Sequence, residues 1–177
     1  MSLDPQPLQD HGEGFFTWHA YDPTCKAELW STAFLNKEVA ILFDPIDWPQ
    51  NNPHPMGPIQ LVTTNANHDR NCKWWMTLSR SQLTTQPPGF QTVPLAGAGE
   101  KEAAYFHGKT GTLVVGDALI HLAPNPLMPL PDKYCTDPHL LKASLNTLLR
   151  LPIRRIFFAH GAPILQDGLH QIRKLFP

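Results

Sequence analysis

The chain is 177 residues long, which suits one domain, and a domain of this size buries ~70% of the surface its unfolded chain exposes. Fourteen Lys and Arg against 15 Asp and Glu leave a net charge of −1 at 16% charged residues, so there is neither a basic stripe for nucleic acid nor an acidic tail for a basic partner. Cys25, Cys72 and Cys135 are odd in number and widely spaced, which excludes a disulfide framework and a zinc knuckle and leaves three free thiols.

Residues 1–13 are polar and Pro-bearing and read as a loose lead-in, with a single domain over 14–177. Phe15 to His19 and Glu28 to Leu35 are rich in β-favouring residues and predict the first two strands, with a tight turn at Asn36-Lys37. Val39 to Phe43 is continuously apolar, as expected of a strand buried on both faces, and ends at Asp44-Pro45. The Pro-rich loop from Pro45 to Pro58 carries Trp48, Asn51, Asn52, His54 and Met56 and is too aromatic to be only a connector; it is a candidate pocket wall. Ile59 to Thr63 predicts a strand, and Asn71 to Arg80, with Trp74, Trp75 and Leu78 at near-helical spacing, a short helix.

Thr84 to Gly89 reads as loop, followed by strands at Phe90 to Pro94, Ala103 to Phe106 and Thr112 to Val115. The last two form an antiparallel hairpin over Gly108-Lys109-Thr110-Gly111, which lacks the full phosphate-loop pattern. Asp137-Pro138 predicts a helix start with Asp as cap, and Leu141, Leu145 and Leu148 supply one apolar face. Arg155 to Ala159 predicts a buried strand, and Asp167 the cap of a last helix through Leu175. Nineteen prolines limit regular structure and favour strands joined by ordered loops. Strands first, then alternating strand and helix, indicate an α/β sandwich with mixed sheets.

Three apolar runs stop on polar residues: Leu61-Val62-Thr63-Thr64-Asn65-Ala66-Asn67-His68-Asp69-Arg70, Leu113-Val114-Val115-Gly116-Asp117 and Ile156-Phe157-Phe158-Ala159-His160-Gly161. Carboxylates and imidazoles at the ends of neighbouring strands converge on a stiff scaffold, which is how metal-centred sites are commonly built. Lesser candidates are His121, read as a hydrogen-bonded loop histidine; His54, read as exposed; Cys72, read as a buried thiol rather than a nucleophile; and Trp74 with Trp75, read as core.

In order and interval these segments resemble the metallo-β-lactamase superfamily, whose first motif reads Thr-His-x-His-x-Asp-His, with Gly-Asp and His-Gly after later strands. The resemblance covers the chain from Phe15 onward. It implies an αββα sandwich of two mixed β-sheets flanked by helices, trimmed between the first motif and Pro94. It also implies that the positions of the first metal's ligands fall on Asn65, Asn67 and Ala98, none a competent zinc ligand. The second metal's positions fall on Asp69, Arg70, Asp117 and His160. Arg70 repels a divalent cation, yet its fork suits carboxylates, so with Asp69 or Asp117 and His160 it could stand where the metal's charge stood.

A second register is similar to atypical members with Thr-Asn-x-x-His-x-Arg, known as metal-dependent hydrolases, in which His68 and Arg70 matter and Asp69 is incidental. His68, Asp117 and His160 then form the cluster, for acid-base catalysis or for one weakly bound Zn, Fe or Mn. The expected catalytic residues are thus Asp69, His68 and Asp117. The possible single metal site is Asp117, His160 and Asp69, while Arg70, Asn65 and Asn67 act as substitutes for metal or as structure. The two readings are a hydrolase with a degenerate site and a non-catalytic descendant that binds a small molecule or protein. With no signal peptide and no membrane-length apolar run, a cytoplasmic protein is expected, without nucleic-acid or membrane partners; a second copy of the chain could cover a shortened cleft.

Overall fold

Apolar runs become strands where they were expected, and parallel neighbours within each sheet decide which residues meet at its edge. The computed structural model describes residues 3–78 and 80–176. The chain divides into two compact units, Met1–Thr63 with Asn67–Pro87, and Thr64–Ala66 with Pro88–Pro177.

The first unit holds a six-stranded sheet: β1 (Gln9–Asp10), β2 (Phe15–Asp22), β3 (Ala27–Leu35), β4 (Ala40–Phe43), β5 (Ile59–Val62) and β6 (Ser81–Leu83), in that spatial order. The sheet is mixed, since β1 to β4 pair antiparallel whereas β4–β5 and β5–β6 pair parallel. All four residues of β4 are buried, as its uninterrupted apolar run requires. Asn36 shapes the turn before it, its Oδ1 accepting from the N–H groups of Glu38 and Val39.

Three expectations change in this unit. The lead-in is tied down in part, because Gln9 and Asp10 pair with Thr17 and Phe16. The stretch Asn71 to Arg80 contains a single helical turn, α1 (Cys72–Trp75), with no acidic residue in its first turn and no side-chain cap. The strand β6 was not read from sequence; Ser-Gln-Leu is too short for period-two alternation to show. The core of this unit joins Trp18, Leu42, Leu61, Trp48, Cys72 and Trp75.

The second unit holds a four-stranded mixed sheet ordered β12–β9–β8–β7, formed by β7 (Phe90–Pro94), β8 (Ala103–His107), β9 (Thr112–Val115) and β12 (Arg155–Phe158). β8 and β9 are the expected hairpin, and β12 lies parallel to β9 with Val115 opposite Phe158. A small ribbon pairs β10 (Leu119–Ile120) with β11 (Met128–Pro129). The helix α2 (Pro138–Leu145) starts as read, with Oδ1 of Asp137 accepting from the N–H of Leu140 at 3.0 Å and proline in the first turn. Leu141, Leu145 and Leu148 join Leu113, Val115, Ile156 and Phe158 in this unit's core.

The last helix, α3 (Gly168–Arg173), is not capped by Asp167, whose backbone is left-handed at φ 55° and whose side chain makes no capping bond. An N-cap residue normally holds extended dihedrals to aim its oxygen at the first turn, which this conformation forbids. No helix among the described residues is long and apolar enough to cross a membrane.

Candidate functional site

In the second unit, the parallel pair β9 and β12 places the segments that follow them at one edge of the sheet. Gly116-Asp117 follows Val115, and Ala159-His160 follows Phe158. Nε2 of His160 lies 3.4 Å from Oδ1 of Asp117, with both side chains about a quarter exposed. Two of the residues singled out in the sequence therefore meet.

Asp117 has a second neighbour. Nδ2 of Asn65 donates to Oδ2 of Asp117 at 3.0 Å and to Oε2 of Glu102 at 2.9 Å. Both acceptors are carboxylates, so only this orientation of the amide satisfies them. Oε1 of Glu102 accepts from the N–H of Ala118 at 3.0 Å, and Glu102 and Asn65 are almost fully buried. The amide thus joins two carboxylates that would otherwise repel each other, and Glu102 secures the turn that carries Asp117. Gly116 belongs to the same packing, because a Cβ there would collide with the side chain of Thr64 and with Oε1 of Glu102 at 2.7 Å.

Asn65 was read as a residue at a ligand position that substitutes for metal or serves as structure; it is a hydrogen-bonding centre between two carboxylates. Glu102 was missed, although the polar step Gly99-Glu100-Lys101-Glu102 directly before a buried strand was its signal. Ala98 is fully buried in the core of the unit, its carbonyl accepting from the N–H of Thr136. His121 is the hydrogen-bonded loop histidine expected: its Nδ1 donates to the carbonyl of Ala162 at 2.7 Å. Gly161 beside it has φ 102°, and a Cβ there would meet the carbonyl of His121.

In the first unit, the parallel pair β4 and β5 ends at Asp44 and Thr63, and residues 67–70 return to this unit. Nδ1 of His68 lies 3.0 Å from Oδ2 of Asp44, and both residues are buried. The backbone of Asp44 is left-handed at φ 47°, a conformation that Asp tolerates better than branched residues do. Its carbonyl accepts from Oγ of Ser31 at 2.7 Å and from NH1 of Arg70 at 3.0 Å. Arg70, expected on carboxylates, directs NH1 at two main-chain carbonyls, the second being that of Trp30 at 2.5 Å. Asp44 was missed as a site residue, although it ends an apolar run in the same manner as the three singled out.

Asp69 and Asn67 are exposed, and the carbonyl of Asp69 accepts from the N–H of Cys72. Burial pushes the Cys72 thiol up to about 12, with Asp44 and Asp69 adding to the shift and Arg70 opposing it, so this is the buried inert thiol of the sequence reading. His54 is exposed and Trp75 is core, as read, but Trp74 is 43% exposed.

An imidazole on a buried carboxylate in one unit, and an imidazole on a partly exposed carboxylate in the other, are groups suited to proton transfer or to holding a divalent cation.

No family model matches the chain, and no curated protein matches it. Solved structures do. The DIM-1 metallo-β-lactamase exposed to ceftazidime aligns over 99% of this chain and 97% of its own, with a TM-score of 0.69 at 14% identity. A metallo-β-lactamase from Erythrobacter litoralis gives 0.63 at 14% identity over 98% of this chain and 95% of its own. An archaeal metallo-β-lactamase superfamily protein from Sulfolobus tokodaii gives 0.64 at 8% identity over 98% and 85%. The chain has the metallo-β-lactamase fold, the α/β class implied by its motifs.

Proposed function

We propose that the chain is a metal-dependent hydrolase of reduced competence, with at most one divalent metal ion held by Asp117 and His160. The observation that carries this reading is the 3.4 Å approach of His160 Nε2 to Asp117 Oδ1 at the ends of two parallel strands. Asp117 Oδ2 is occupied by Asn65, so the carboxylate would offer its other oxygen as a single ligand. An imidazole and a carboxylate are donors fit for zinc, iron or manganese.

Such an ion would polarise the carbonyl of an ester, amide or thioester and lower the pKa of an attacking water. This chain's own part is to fix Asp117 through Asn65 and Glu102. The first metal of a binuclear site has no counterpart in this reading, since Asn65 is committed to two carboxylates and Ala98 is buried among apolar side chains.

The test is the metal content of untagged protein purified without chelator, by elemental mass spectrometry. Near-stoichiometric zinc, iron or manganese, lost in Asp117→Ala, supports the reading; no metal, even after soaking, overturns it. In that event the second reading applies, a non-catalytic descendant that binds a small molecule or protein through the inherited cleft. It is favoured by the double donation of Asn65, which ties the two carboxylates together without an ion.

A further inference from the structure

The loop from Pro45 to Pro58 is ordered by bonds from every side. Trp48 Nε1 donates to the carbonyl of Asn52, Arg80 NH2 to that of Pro55, and the N–H of Leu8 to Oδ1 of Asn52. Within the first unit this loop, the N-terminal segment and the start of α1 line an open depression of about 240 Å³, room for one small organic molecule.

Three of the residues that line it carry aromatic rings, Trp48, His54 and Trp74. The His54 ring lies 6.1 Å from that of Trp48 and 5.8 Å from that of Trp74. Trp48 and Trp74 both pack on the buried Trp75, at 5.7 and 5.1 Å, which fixes their planes. Trp74 nevertheless keeps 43% of its surface exposed, unlike a core residue. Among the described residues the lining contains one carboxylate, Asp47, one imidazole, His54, and neither Lys nor Arg. Asp47 is held rigidly, Oδ2 accepting from the N–H of Leu3 at 2.6 Å and Oδ1 from Nδ2 of Asn71 at 2.6 Å.

Indole faces attract cations within about 6 Å of the ring, and a nearby carboxylate adds attraction of the same sign. Phosphates and carboxylates find no cationic partner among Lys or Arg. A sugar needs several hydrogen-bonding groups; Asp47 and Asn71 are bonded to each other, which leaves the side chains of Gln50 and His54 for that role. We infer that this depression binds a small organic cation bearing a methylated ammonium group, through Trp74, Trp48 and Asp47.

The test titrates the full chain with choline at matched ionic strength, following the indole N–H signals of Trp48 and Trp74 in ¹H–¹⁵N spectra. Its uncharged isostere 3,3-dimethyl-1-butanol is the control. Saturable shifts with choline, at least fivefold weaker for the isostere and for Trp74→Ala of unchanged melting temperature, are the expected result. Equal binding of the isostere would make the depression a merely apolar slot, and unchanged binding in Trp74→Ala would place the cation elsewhere; either overturns the inference. Tighter binding of glucose than of choline does the same by making it a polyol site. Binding to phosphatidylcholine vesicles without binding to free choline would move the source to a lipid headgroup and overturn the assignment of a free ligand.

Discussion

His68 and Asp44 form a buried imidazole–carboxylate pair, Nδ1 to Oδ2 at 3.0 Å, built from the loops that follow two parallel neighbours, β4 and β5. The left-handed backbone of Asp44 lets its carbonyl take hydrogen bonds from Ser31 and Arg70 while its side chain faces His68. Main chain and side chain of one residue therefore order three polar groups.

Asp44→Ala removes the carboxylate and places a Cβ residue without a polar side chain at φ 47°. A loss of about 3–5 kcal/mol is expected from breaking a buried pair. Asp44→Asn tolerates the backbone and keeps an oxygen toward His68, so it should lose less than half of that. Urea unfolding of the three proteins checks the order; equal stability of wild type and Asp44→Ala would contradict the pairing.

Asn65→Asp replaces the bridging amide by a third carboxylate beside Glu102 and Asp117. Asn65→Ala leaves two carboxylates without their donor, at a cost of about 1–3 kcal/mol. At neutral pH the Asp variant should melt below the Ala variant, since like charges add to the loss. Melting curves in low salt decide this, and the reverse order would show that the amide does not hold the carboxylates together.

The strands were legible because their apolar runs are bounded by turn residues, and the start of α2 because Asp-Pro has a defined role at a helix N-terminus. Of the short helix expected within Asn71 to Arg80 one turn forms, since Trp74, Trp75 and Leu78 are spaced as on a helix but no side-chain cap supports it. In the site, Asp117 and His160 were found by their position after apolar runs. Glu102 precedes its strand instead of following it, so the same rule missed it. The partners of Arg70 are main-chain carbonyls, which side-chain patterns do not encode.

Cys72 provides a prediction of pH dependence. Its thiol is raised in the folded state from 9.0 to about 12, chiefly by burial. The folded protein thus holds this proton more tightly than the unfolded chain. The associated stability is complete below pH 9 and declines as pH rises from about 9 to about 12. Cys72→Ala should flatten that part of the stability curve, as read by urea unfolding from pH 8 to 11. Iodoacetamide at pH 8 should modify exposed Cys25 and leave Cys72 unreacted until the protein unfolds.

Arg70→Ala withdraws a guanidinium that donates from NH1 to the carbonyls of Trp30 and Asp44. Hydrogen bonds from charged groups are worth about 1.5–3 kcal/mol, and each carbonyl would also lose a donor where water has little access. A fall in stability of at least 2 kcal/mol is therefore expected on this order-of-magnitude scale. Arg70→Lys should restore less than half of it, because an ammonium is more strongly hydrated than a guanidinium and costs more to withdraw from water. If instead Arg70→Ala melts with the wild type, the guanidinium is not holding the loop after β5, and its place beside Asp44 would have to be explained by ligand binding instead of structure. Measuring metal uptake in Arg70→His alongside these variants separates the two: uptake gained there, with stability retained, would show that the cation of Arg70 opposes a metal's charge.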